Sequence, residues 1–221
     1  MKKLTAFLFG IIGIMVFALS GCANGDAFTE MSYIVGEREA EKITIRVADR
    51  ELEIGASEDN RIYVDYFDGE KEYLDITLSD SKELTIQLIS NREWYDLIGV
   101  KPPEKYRRIK MRLPDYLIAT LSASTTNENI RINQLSVAEQ ISLETNGGNI
   151  LCERVNVGKA ICLTAKNGSI TGSVIGGWDD FSISCTIKKG DCNLPASKES
   201  GVKSFTADCN NGDINIVFIK L

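Results

Sequence analysis

From Leu121 onward the chain repeats one short pattern every 20 to 24 residues, and a repeat of that length leaves few folds open. Leu121-Ser-Ala-Ser-Thr-Thr-Asn-Glu-Asn-Ile130 is followed by Ile141-Ser-Leu-Glu-Thr-Asn-Gly-Gly-Asn-Ile150 and Ile161-Cys-Leu-Thr-Ala-Lys-Asn-Gly-Ser-Ile170. Phe181 to Cys192 and Phe205 to Ile214 repeat it with small insertions. Each unit reads as an alternating strand, a polar turn and a second strand. A unit this small cannot bury its own apolar side, so neighbours must stack. The expected fold is all-β: a parallel β-solenoid with coils of about 20–24 residues. Parallel connections of this kind favour a right-handed winding.

Alternation assigns the inward side chains. Before the turn they are Leu121/Ala123/Thr125, Ile141/Leu143/Thr145, Ile161/Leu163/Ala165, Phe181/Ile183/Cys185 and Phe205/Ala207/Cys209. After it they are Ile130/Ile132, Ile150/Cys152, Ile170/Gly172, Cys192/Leu194 and Ile214/Ile216. Leu135/Val137, Val155/Val157 and Ile175 suggest a short third face. Asn146-Gly147, Asn167-Gly168, Lys189-Gly190 and Asn211-Gly212 form a turn column, where glycine is expected to supply a positive φ. The last strand, Asp213 to Leu221, is strongly β-prone and reads as an edge.

Residues 41–115 are less regular. Ile43/Ile45/Val47, Leu52/Ile54, Ile62/Val64/Tyr66, Leu74/Ile76/Leu78, Leu84/Ile86/Leu88 and Ile109/Met111/Leu113 all alternate. Either a small antiparallel domain or irregular first coils would fit. The spacing of Ile62, Leu84 and Ile109 favours coils, which would cap the regular stack of residues 116–221.

The N-terminus carries a different signal. Lys2 and Lys3 precede an uncharged run from Leu4 to Leu19, which ends in Leu19-Ser-Gly-Cys22. Sixteen apolar residues are short for a spanning helix and suit a secretory leader. The ending resembles a bacterial lipobox, which implies a signal peptide over residues 1–21 and a diacylglyceryl group on the Cys22 thiol. Residues 22–40 would then tether the β-structure to the extracytoplasmic face of a cell membrane. Removing the leader leaves 23 basic and 31 acidic residues, a net charge of −8. That balance disfavours nucleic acid as a partner.

With these columns in place, the chain resembles a bacterial β-strand-repeat family of unknown function, many of whose members are adhesin-type envelope lipoproteins. The resemblance rests on Ile109-Lys-Met-Arg-Leu-Pro-Asp115 and on the recurring Thr-Asn-Gly-Gly-Asn-Ile150, Ala-Lys-Asn-Gly-Ser-Ile170 and Cys-Asn-Asn-Gly-Asp-Ile214. It covers Arg108 to Leu221, and more loosely the chain from Ile43. It implies no catalytic residue and no cofactor.

The chain has no histidine, which removes histidine-based nucleophilic catalysis and the common zinc sets. Asp179, Asp180, Asp191 and Asp213 are the acids a carbohydrate-active β-helix enzyme would need, yet they fall at turns, where aspartate forms local hydrogen bonds. A calcium site would need six to eight oxygens, more than these turns offer. No metal site is assigned. Cys185 and Cys209 are placed in one column on successive rungs, close enough for a thiol ladder or a bridge. Trp94 and Tyr95 in one loop, and Trp178, Asp179 and Asp180 in another, are candidate partner contacts. The expected function is that of a lipid-anchored, extracytoplasmic binding or scaffold protein of the bacterial envelope, without catalysis, meeting an envelope protein or a glycan. The alternatives are the carbohydrate-active enzyme and an accessory protein of an envelope-stress sensor.

Overall fold

A computed structural model describes residues 15–17, 27–36, 39–91 and 101–220. Nineteen strands fall among these residues, with two short 3-10 turns at Glu104–Arg107 and Trp178–Asp180 and no α-helix. The strands form two mixed sheets around one apolar core.

The regular part follows the alternation. β9 (Thr120–Thr125), β12 (Gln140–Thr145) and β14 (Ala160–Asn167) lie side by side and parallel in sheet II, so Leu121, Ile141 and Ile161 form one row. β10 (Ile130–Asn133), β13 (Ile150–Val157) and β15 (Ile170–Ile175) do the same in sheet I. The chain alternates between the sheets, and each sheet turns one apolar row inward, where Leu121, Ile141, Ile161, Ile130, Ile150 and Ile170 are buried. β-Branched side chains suit this pleated, one-sided burial. The third face is also present. β11 (Ser136–Val137) pairs with Asn156 and Val157, and β13 reaches them across an irregularity at 153–154. Arg154 takes a positive φ of 51° there.

Both ends depart from simple succession. β16 (Phe181–Lys189) precedes β18 (Lys203–Asn211) and β19 (Ile214–Ile219) in the chain, but β18 and β19 pack on β14 and β15. β16 lies outside β18. The last coil is thus inserted beneath the one before it. β17 (Ser197–Lys198) then runs antiparallel along the outer edge of β16.

The other end is transposed in the same way. β3 (Lys42–Arg46) and β4 (Glu51–Ala56) sit directly against β9 and β10, all parallel. β7 (Glu83–Ser90) and β8 (Arg108–Leu113), later in sequence, lie one level further out. β5 (Ile62–Gly69) runs antiparallel to β8, and β6 (Glu72–Leu78) antiparallel to β7. β2 (Phe28–Val35) pairs antiparallel with β5, and β1 (Met15–Phe17) with β2. The N-terminal region therefore shares the sheets and the core. It consists of two parallel coils under an antiparallel cap. Ile62, Leu84 and Ile109 do not form one column: Ile43 pairs with Leu84 and Leu121, whereas Leu52 pairs with Ile109 and Ile130.

The turn column also differs from its sequence reading. Gly148, not Gly147, stacks with Gly168 and Gly212. A Cβ on Gly168 would lie 2.0 Å from the Gly148 carbonyl oxygen, although its φ is not positive. Close approach of successive coils demands glycine at this position. Gly190 and Gly212 do adopt positive φ, at 125° and 149°. Beside this column runs a ladder of side-chain oxygens. Asn129 Oδ1 accepts from the Asn149 amide at 2.9 Å, and Asn149 Oδ1 from the Ser169 amide at 2.8 Å. Ser169 Oγ accepts from the Asp213 amide at 3.1 Å, and Asp213 Oδ1 from the Asp191 amide at 2.9 Å. The ladder follows the spatial order of the coils, so it passes from 169 to 213 and back to 191.

Candidate functional site

The outer face of sheet I carries a row of charged side chains. Alternation on β4, β8, β10 and β13 turns Glu53, Lys110, Arg131 and Glu153 away from the core. Register places Glu53 beside both Lys110 and Arg131. One step along, Gly55 lies between Arg112 and Asn133. Gly55 has no side chain, so the row is broken there, and a cavity of about 490 Å³ opens. Lys110, Arg112, Arg131, Asn133 and Glu153 are among the residues that line it, with Leu151 as an apolar contribution.

The charges around the cavity are held in place. Glu51, nearly buried, accepts from Arg131 Nε at 3.1 Å and from Arg108 Nε at 3.2 Å. Arg108 Nε also lies 3.3 Å from Glu53. Arg112 Nη2 donates to Asp65 Oδ2 at 3.0 Å, and its guanidinium carbon lies 4.5 Å from the centroid of the Tyr63 ring. The Tyr63 hydroxyl in turn donates to Asp59 Oδ2 at 2.7 Å. Arg112 is thus fixed by an ion pair and a cation–π contact. Its Nε is shielded from solvent and has no hydrogen-bond partner among the described residues. The Arg108 guanidinium is held more firmly protonated than usual by Glu53, with Glu51 and Glu104 adding to the effect against a cost of burial. The face presents fixed guanidinium groups and carboxylates with a gap between them, a surface suited to hydrogen-bonding a polar partner.

The residues singled out from sequence are dispersed. Cys22, Trp94 and Tyr95 lie outside the described residues. Trp178 sits at the C-terminal end of the stack, 43% exposed. Its ring meets Phe218 edge-on at 5.6 Å, and Lys198 Nζ lies 5.6 Å from its centroid. Phe218 continues this contact to Phe181 and Phe205, at 5.1 and 5.7 Å. Trp178 therefore closes the side of the core with one surface and leaves part of the ring open. Asp180 Oδ2 accepts from the Gly177 amide at 2.7 Å and shapes the turn, while Asp179 is exposed. Asp191 and Asp213 belong to the turn ladder, and their paired contact runs from backbone amide to carboxylate.

Cys185 and Cys209 do not share a rung. Cys185 faces Ala207, and Cys209 faces Ile187 and Ala165. Counting back from the shared Gly-Asp pairs, Gly190-Asp191 and Gly212-Asp213, gives this register directly, because it sets Ile183, not Phe181, opposite Phe205. Cys209 instead hydrogen-bonds through its thiol to the Gly168 carbonyl at 3.3 Å. Thr145 makes the equivalent bond to the Glu128 carbonyl at 3.1 Å. The thiol of Cys185 lies 3.1 Å from that of Cys192. The outer-face residues Glu53, Gly55, Lys110, Arg112 and Arg131 were not singled out from sequence. Alternation marked them as outward, but only the pairing of β4 with β8 and β10 brings them together.

A family model described as Toastrack DUF4097 matches residues 40–220. The chain belongs to this family. The match takes in the parallel coils at both ends as well as the regular middle, so the transposed stack lies within the Toastrack unit. Among solved structures, a proposed cell adhesion protein of Clostridium sporogenes aligns with a TM-score of 0.58 at 15% identity, covering 86% of this chain and 99% of its own. A proposed adhesin of Parabacteroides merdae aligns at 0.38 with 13% identity, covering 87% and 82%. One of Bacteroides fragilis aligns at 0.35 with 11% identity, covering 85% and 97%. The first likeness supports the fold. No curated protein matches the sequence.

Proposed function

We propose that this Toastrack protein is a lipid-anchored, extracytoplasmic binding or scaffold protein of the bacterial cell envelope that acts without catalysis. Cys22 carries the lipid after removal of residues 1–21, and the segment up to residue 40 tethers the stack. In this reading the coils wind right-handedly, and stacking makes them a rigid support. The observation that carries the proposal is the outer face of sheet I, where the gap at Gly55 is framed by fixed Arg112, Arg131 and Glu53. Arg112 pairs with Asp65, Arg131 with Glu51 and Glu53 with Arg108, an arrangement that suits recognition of a polar protein or glycan surface. Of the acids that a hydrolase would use, Asp180 shapes its turn and the Asp213 carboxylate accepts from the Asp191 amide.

The test is crosslinking of the anchored protein in intact cells, followed by mass spectrometry of what is recovered, with Gly55→Gln run in parallel. A Cβ at Gly55 would meet only the Asn133 carbonyl oxygen, at 3.5 Å, so this substitution fills the gap without disturbing the strands. A recurrent protein or glycan that is lost from Gly55→Gln, at an unchanged melting temperature, supports the reading. Recovery that is the same for both proteins sinks this face as the binding surface. A chain that stays in the cytoplasm sinks the anchor.

A further inference from the structure

We propose that Cys185 and Cys192 form a disulfide that staples the C-terminal cap of the stack. The thiols lie 3.1 Å apart and seven residues apart in sequence, on either side of the Lys188-Lys189-Gly190 corner. Both belong to the outermost coil. Cys185 is on β16, the strand edged by β17, and Cys192 begins the segment that covers β19 through its bridge to Ile214. The remaining cysteines among the described residues are placed differently. Cys152 is buried in sheet I, Cys162 sits on the outward row of β14, and the Cys209 thiol is engaged with the Gly168 and Gly212 carbonyls.

The position of the pair gives the link its consequence. Between Cys192 and β17, Asn193 acts as a substitute strand. Its Nδ2 donates to the Ile216 carbonyl at 2.8 Å, and its Oδ1 accepts from the Ile216 amide at 3.0 Å. One side-chain amide thereby satisfies both edge groups of Ile216, on a strand that would otherwise be open to pairing. Tying Cys192 to β16 holds Asn193 in that place. It also closes a short loop in the unfolded chain, which stabilises the native state.

The reaction is thiol–disulfide exchange with a small disulfide oxidant. Cys192 is the more exposed of the two, and burial pushes the Cys185 thiol up to about 12, so Cys192 attacks first. Its sulfur joins one oxidant sulfur and the other leaves as a thiol. Cys185 then attacks the Cys192 sulfur of the mixed disulfide and expels the second oxidant thiol. Two electrons and the two cysteine protons end on the oxidant. The geometry carries the link itself, whereas the supply of such an oxidant in cells rests on the extracytoplasmic location proposed above.

The test uses the purified full chain, incubated with oxidised glutathione, then alkylated and digested with trypsin without reductant. Lys188 and Lys189 lie between the two cysteines, so trypsin separates them unless they are bonded. The expected result is one linked peptide pair joining Cys185 and Cys192, with Cys152, Cys162 and Cys209 alkylated once the chain is denatured. Hydrogen exchange at the Ile216 amide should slow in the oxidised form, and Cys192→Ser should lose both effects. Alkylation of both cysteines, a glutathione adduct on Cys192 that goes no further, or a link from either cysteine to Cys209 overturns the proposal. Because the assay contains no membrane and no partner, failure of the envelope reading would leave its result unchanged.

Discussion

The middle of the stack and its two ends are made of the same kind of strand but are held in different ways. From β9 to β15, each coil rests on the coil before it, and the contacts are repetitive: apolar rows, a glycine column and a ladder of side-chain oxygens. At each end the coil nearest the terminus lies one level in, and other strands close the outside: β16 and β17 at one end, β5 to β8 with β2 and β1 at the other. The caps differ from one another as well. The N-terminal cap is pinned by a buried ion pair, Arg50 Nη2 to Glu72 Oε2 at 2.7 Å, which ties the corner before β4 to the start of β6. The C-terminal cap uses Asn193, the Cys185–Cys192 pair and the cluster of Trp178, Phe181, Phe205 and Phe218. Repetition suffices inside a stack because each coil has a like neighbour on both sides. An end lacks one neighbour and needs individual, non-repeating contacts.

Five changes would test that contrast. The largest effect is expected for Ile150→Asp in the middle, which places an unpaired charge in a dry core with coils on both sides. It should cost more than about 4 kcal/mol and abolish the cooperative melt by circular dichroism. A normal melt would show that the middle is not the shared core. Next is Glu72→Ala, which removes the paired carboxylate of the buried Arg50 and leaves it the Asp49 carbonyl and the nearby Asp68 charge; it should cost about 3 kcal/mol in denaturant titration. Arg50→Met combined with Glu72→Leu should recover most of that loss. If the single and double variants are equally unstable, the ion pair is not what pins the N-terminal cap.

Gly168→Val drives a side chain into the Gly148 backbone and should cost about 1–3 kcal/mol. An unchanged melting midpoint would remove close approach as the reason for glycine there. Asn193→Ala exposes the edge groups of Ile216 and should cost about 1–2 kcal/mol, with faster exchange at that amide and none of this change at Ile150. The smallest effect at neutral pH is that of Cys152, which appears only in alkali. Burial pushes the Cys152 thiol up to about 12, so the folded chain keeps a proton that the unfolded chain releases from about 8.5. Stability from this group is fully present below that pH and is lost as pH rises toward 12. Cys152→Ala should flatten the alkaline limb of the stability–pH curve, and an identical limb would mean that Cys152 does not titrate differently on folding.

Most of the fold was legible because inward position depends on local alternation. The inward rows of the regular coils read from sequence are buried with few exceptions: Gly172 and Cys192 are only partly so, and on the third face Val174 is buried in place of Ile175. Burial alone leaves two registers open for β16 against β18, because Phe181 is apolar and buried as well as Ile183. The Gly-Asp corner distinguishes them. The candidate site was less legible. Outward residues such as Lys110 and Arg112 carry no marker of their neighbours, and the gap at Gly55 has meaning only when Arg112 and Asn133 are known to flank it.

By itself the sequence determined the β class, the inward rows of the middle and the places where the chain must turn. Each of these follows from interactions within about twenty residues: alternation, turn chemistry and the need of a small unit to bury one side. The tertiary structure decided which coil lies on which. Backbone hydrogen bonds between parallel strands are nearly indifferent to side-chain identity, and lengthening a connection adds little to the cost of closing it. Succession and transposition therefore present similar rows to the core. The choice falls to contacts that exist only after stacking: Arg50 with Glu72 at one end, and Asn193, Cys192 and Phe218 at the other.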